Sequence, residues 1–172
     1  MTWLEDAVTA VAKEATAIRA LFPAAGRRAG RDNADEARAA LLLALSGESL
    51  AKEVAGLYHH GDNDEKRAVL KTLPSLDVGD GCVELLRDAL RSNDSRLIAA
   101  ALGPYSRHLA DAEWRQGVLK SVFMGLPLSS LHGLDERADA ELARMLGGLR
   151  DEREAAGRVM PADAVALLER LA

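Results

Sequence analysis

Arg115 is the residue whose position most needs a partner. At about 100° per residue, Val118, Leu119, Val122, Phe123 and Leu126 share one arc of an amphipathic helix over 111–127, and Arg115 falls in the middle of it. Asp111 is placed to cap this helix and Pro127 to end it. A guanidinium keeps its charge, so on a core-facing stripe it requires a carboxylate, several carbonyls or a wet cavity. Three arrangements meet that need: the stem carries the head to solvent, the head joins an ion pair between helices, or it faces a ligand cleft. Lys66 precedes Val69, Leu70 and Leu73 by the offsets that separate Arg115 from Val118, Leu119 and Val122. With Tyr105 also inward, the expected cleft is a polar gap between helices that binds a small molecule. Trp114, Gln116, Lys120, Asn93, Asp94 and Arg137 complete the candidate binding set, and Asp62, Asp88, Asp94 and Asp135 are the acids on offer to Lys66 and Arg115.

Other chemistry is poorly served. His59 and His60 are adjacent, so on a helix they diverge by about 100° and make no zinc pair. They suit the end of a helix better than a site with Asp62. No Gly-rich loop follows a strand, which removes the dinucleotide and phosphate-loop fingerprints. Ser129, Ser130 and His132 lie close in sequence without an acid fixed to orient the imidazole. Asp135 and Glu136 belong to a first turn, where acids complement the helix dipole. The expectation is therefore no catalytic residue, no metal and no cofactor.

Composition bounds the remaining classes. At 172 residues the chain suits a single domain, 1–172, with a core of useful size. Aromatics are few, with two each of Trp, Tyr and Phe, and alanine is common, so the fold is expected to be all-α with closely packed helices. A net charge of -5 and a pI near 5.4 argue against nucleic acid as a partner, because nothing offsets phosphate repulsion. Arg27, Arg28 and Arg31 form the one basic cluster and read as a solvated connector. Cys82 is alone, which fits a reducing compartment, and the acidic start and short apolar runs predict a cytoplasmic protein without membrane insertion.

The elements that must position these residues follow from apolar spacing. Residues 2–22 read as a first helix closed by Pro23, followed by helices over 34–46 and 48–59; these N-terminal helices, 1–60, suggest no chemistry. Asp64 is placed to cap the next helix, which carries Lys66. A turn then leads to a helix over 82–91, and Asn93-Asp94 opens another, kinked at Gly103-Pro104. Asp135 starts the longest remaining helix, stopped by Gly157, and Pro161 opens a short last one. The result is a compact, irregular stack of about eight to nine helices in HEAT- or armadillo-like hairpins.

Several blocks within 61–172 go further. Gly61-Asp62-Asn63-Asp64-Glu65-Lys66-Arg67-Ala68-Val69-Leu70, Asp88 to Asp94, Ala99 to Tyr105, Trp114-Arg115-Gln116 through Phe123, Gly133 to Ala138, Leu142 to Met145, and Glu152-Arg153 through Arg158 resemble the EboA family. The resemblance implies membership of a small bacterial gene cluster and a part in trafficking or exporting a secondary-metabolite precursor. It implies partners from that cluster, among them a prenyltransferase-like membrane protein, and so a place in the cytoplasm or peripherally at the inner membrane. It supplies no catalytic residues. Two functions stay open beside metabolite binding: a scaffold that docks a partner protein, and an enzyme acting on the precursor.

Overall fold

A computed structural model describes residues 1–172. The chain is all-α: eleven α-helices joined by turns and short 3₁₀ segments, with no strand. It divides into two compact units, Met1–Asp88 and Ala89–Ala172. The first holds α1 (Trp3–Lys13), α2 (Ile18–Ala29), α3 (Ala34–Leu43), α4 (Leu50–His60) and α5 (Asn63–Thr72); α6 (Val83–Leu90) runs across the division. The second holds α7 (Ser95–Ala101), α8 (Asp111–Phe123), α9 (Leu134–Arg137), α10 (Ala140–Ala155) and α11 (Ala162–Leu171).

Helix number exceeds the expectation because two long helices are broken. Glu14 turns extended (φ -141°, ψ 107°), so the expected helix 2–22 is really α1 followed by α2. Pro23 does not close α2 either: the helix runs through it to Ala29, held by Phe22 and Ala25 on its buried face. Downstream, Asp135 does not start the long helix. Asp139 is extended and caps α10 through the Leu142 N–H at 3.0 Å, leaving α9 as a separate short helix.

Capping fixes the register of other helices. Thr2 with Glu5, and Asp62 with Glu65, form capping boxes that start α1 and α5, so Asp62 and not Asp64 begins the helix carrying Lys66. In the first unit α3 packs on α1, α2 and α5, and α5 also packs on α4. In the second, α8 packs on α7 and α10, and α10 on α11.

The buried face of α8 is Trp114, Gly117, Val118, Ser121 and Val122, rotated from the expected arc. Phe123 lies outside, 64% exposed, and Ala110, not Asp111, is the cap residue. Small residues explain the rotation: a Cβ on Gly117 would lie 2.9 Å from Leu102 Cδ2 and 3.4 Å from Leu90 Cδ2. Apolar counting treats Gly117 and Ser121 as neutral, whereas close approach makes them the packing face.

Candidate functional site

Within the C-terminal unit, the cations singled out from the sequence hold protein acceptors. Arg115 borders the buried face with its side chain 18% exposed and grips Asp139, its Nε donating to both carboxylate oxygens at 3.1 Å and its Nη2 to Oδ2 at 2.5 Å. The pair holds the Asp139 carboxyl below the usual carboxylate range, through the Arg115 bond first and the Leu142 N–H second. Asp139 was not among the four acids expected as partners, because it was read as helix interior. Lys120 donates to the Leu90 and Ser92 carbonyls at 2.6 and 2.7 Å.

Arg137 donates to the Ser106 and Leu109 carbonyls at 2.9 and 2.8 Å and to Asp111 at 2.9 Å, while its guanidinium sits 4.9 Å from the centre of the Trp114 ring. Trp114 and Tyr105 are buried, with the Tyr105 ring against His108 at 4.7 Å. Asp94 caps α7 and binds Arg96; Asn93 and Gln116 are exposed. The unit thus brings Arg137 and Trp114 together beside the 3₁₀ segment that carries Tyr105. Lys66 belongs to the N-terminal unit, where its ammonium lies 5.2 Å from the Tyr58 ring centre and the Tyr58 hydroxyl donates to Asp88 at 2.8 Å.

The N-terminal unit holds a cavity of about 460 Å³ that the sequence reading did not anticipate. Helix α2 contributes Arg19, Phe22 and Pro23; α4 contributes Lys52, Glu53, Gly56, Leu57 and His60; Gly61 and Glu65 close one end. Gly61 is required there, since a Cβ would meet the Leu57 carbonyl at 2.8 Å and Glu65 Cβ at 2.9 Å. That tight turn draws the start of α5 onto the end of α4 and sets Glu65 in the wall.

Charge is organised asymmetrically in this wall. Glu53, 7% exposed, accepts from Arg19 Nε at 3.1 Å and Nη2 at 2.6 Å, and this bond holds its carboxyl down despite burial. Glu65, also 7% exposed, accepts the Asp62 N–H at 2.7 Å and is pushed up, chiefly by burial and then by the Asp62 carboxyl, against the Asp62 N–H and, more weakly, Arg38. Arg38 is itself buried, its Nε without a hydrogen-bond partner, Asp35 3.8 Å away and the Phe22 ring centre at 5.9 Å. His60 Nδ1 lies 2.8 Å from the Gly56 carbonyl, which can only accept, so that nitrogen is the donor.

The sequence did carry a signal for this cavity. Glu53 stands among Leu50, Val54 and Leu57, a charge on an apolar stripe like Arg115. A shallower depression in the C-terminal unit, about 550 Å³, has Ser129 and His132 exposed on its wall and Asp163 committed to the Leu128 N–H at 2.9 Å. Nowhere do three or more His, Cys, Asp or Glu side chains group to hold a metal ion. No helix is long and apolar enough to cross a membrane.

These features define an all-helical protein with an amphipathic, ligand-sized cavity walled by buried charge. Residues 13–169 match the family described as "Metabolite traffic protein EboA", and the chain belongs to that family. Neither the curated proteins nor the solved structures yield a match.

Proposed function

We infer that the protein binds a small metabolite in the N-terminal cavity and passes it on unchanged to a partner, as one step in moving a secondary-metabolite precursor. The observation that carries this reading is the cavity itself: about 460 Å³, with Phe22 and Leu57 for an apolar body and Glu53 and Glu65 buried beside them. That size lies within the usual range for small-molecule sites, roughly 300–1,000 Å³. The family description supports the traffic role. The set around Arg115 and Tyr105 in the C-terminal unit remains the alternative location. It is the less favoured one because Arg115, Lys120 and Arg137 already hold Asp139, backbone carbonyls and Asp111.

A second reading, docking of a partner protein, is favoured by Phe123 and Val159, 64% and 86% exposed. Arg153 donates to the carbonyls of both, at 3.1 and 3.3 Å, which presents two apolar side chains from one clasp. Partner proteins of the same gene cluster, including a membrane prenyltransferase-like one, suit this face, with the protein in the cytoplasm or at the inner-membrane surface.

Native mass spectrometry of protein purified from its own host tests the main reading. The wild-type chain should carry a small-molecule adduct that Gly56→Phe, which occupies the cavity, lacks. An adduct retained by Gly56→Phe and lost in Arg115→Ala would move the site to the C-terminal unit; turnover of the bound molecule would make the protein an enzyme.

A further inference from the structure

We propose that the metabolite taken into the N-terminal cavity bears a protonated amine, and that the Glu65 carboxylate receives it beside the apolar wall made by Phe22 and Leu57. This deepens the reading above and rests on it. Of the charged groups on the wall, Arg19 and Glu53 neutralise one another through two hydrogen bonds. Lys52 and His60 are exposed at their places on the wall, and His60 Nδ1 is bonded to the Gly56 carbonyl. Glu65 differs from all of these. It is buried, it has no ion-pair partner, and its carboxyl meets only Asp62, accepting the Asp62 N–H on Oε2 and lying against the Asp62 carboxyl.

Its electrostatic surroundings lack a close cation. The Asp62 N–H and, from beyond ion-pair distance, Arg38 favour the charged form, but burial and the Asp62 carboxyl outweigh them and hold Glu65 above its ordinary value. A buried carboxylate in that condition is stabilised by a cation that brings its own donors, and an ammonium brings three. A ligand carboxylate or phosphate placed at the same spot would instead meet the Glu65 carboxylate as a like charge. An alcohol would satisfy the hydrogen bond but leave the charge uncompensated. The apolar remainder of the ligand lies against Phe22 and Leu57, neither of which offers a polar side-chain atom.

The test uses the full chain and three fragments of matched shape: cyclohexylmethylamine, cyclohexylmethanol and cyclohexanecarboxylate, titrated at neutral pH while amide resonances are followed. The expected result is that the amine alone shifts Gly56, Gly61 and Glu65 saturably. Glu65→Gln, which keeps the Asp62 cap, should weaken it about tenfold or more, the worth of one hydrogen bond to a charged group. If the alcohol or the carboxylate binds there as tightly as the amine, or if Glu65→Gln binds the amine unchanged, the amine assignment is overturned while the cavity stands as the ligand site. If none of the three shifts those resonances, the amine assignment also fails. Loss of the adduct in Gly56→Phe then separately decides whether the cavity reading survives.

Discussion

Placing phenylalanine at Gly56 and, separately, at Gly117 asks whether empty space or close packing surrounds each helix. Gly56 is in α4 on the cavity wall, and an added Cβ there meets nothing within 4 Å. Phenylalanine is the better helix former by about 0.3 kcal/mol. At roughly 2–4 °C per kcal/mol for a chain of this length, the melting temperature should hold or rise by about 1 °C. Gly117 is in α8, where a Cβ would come within 2.9 Å of Leu102, a side chain with no exposed surface. An aromatic ring there cannot be accommodated without moving the core, and should cost about 3 kcal/mol or more, the upper end of overpacking. That corresponds to a fall of roughly 6–12 °C. Thermal melts followed by circular dichroism read both. A Gly56→Phe protein that melts several degrees lower, or a Gly117→Phe protein that melts like wild type, would refute the packing described here. A bound adduct that persists in a stable Gly56→Phe protein would refute the cavity as the ligand site.

Other outcomes follow from single side chains. Asp139→Asn keeps a cap for Leu142 but loses the charge facing Arg115, whereas Asp139→Ala loses both; melting temperatures should fall in the order wild type, Asn, Ala, and equal losses would mean the cap contributes nothing. Glu53 and Asp139 are held down by arginines, so the stability they add is complete above the ordinary carboxylate range and disappears as pH falls through their lowered values. Glu65 has the opposite sign: folding is disfavoured by its ionisation as pH rises from the ordinary glutamate value towards its raised one. Glu65→Gln should therefore raise the melting temperature at neutral pH and leave it unchanged well below that window; an equal rise at both would remove burial of the charge as the cause. Arg137→Lys loses the planar fork that reaches two carbonyls and Asp111 over Trp114, so Trp fluorescence should shift, and an unaltered spectrum would contradict that stacking.

The helical class, the helix start at Asn93-Asp94 and the inward places of Val118 and Val122 follow from spacing and composition alone. What spacing does not contain is the identity of small residues as packing faces. Gly117 and Ser121 turned α8 enough to expose Phe123, bury Trp114 and leave Arg115 at the edge. Breaks without proline or glycine were equally silent. Glu14 and Asp139 interrupt helices in extended conformation, and the second of these supplies the acid that holds Arg115. Pro23 misled in the other direction, because loss of one N–H does not stop a helix whose neighbours Phe22 and Ala25 are buried. For the candidate site, the rule that picked out Arg115 and Lys66 was sound but did not reach α4. Glu53 is a charge on the apolar stripe of α4, and applying the same rule there leads to the cavity.

The ammonium of Lys120, tied to the carbonyls of Leu90 and Ser92, has a bearing on its reactivity as a nucleophile. Acylating reagents must reach the amine and have room to attack it, and this nitrogen is held against two backbone oxygens where α6 ends. Lys13 and Lys52, both at the surface, are the first to be modified, and Lys120 is spared while that helix end keeps its shape. The order in which lysines acquire label thus becomes a built-in gauge of whether the C-terminal unit is folded.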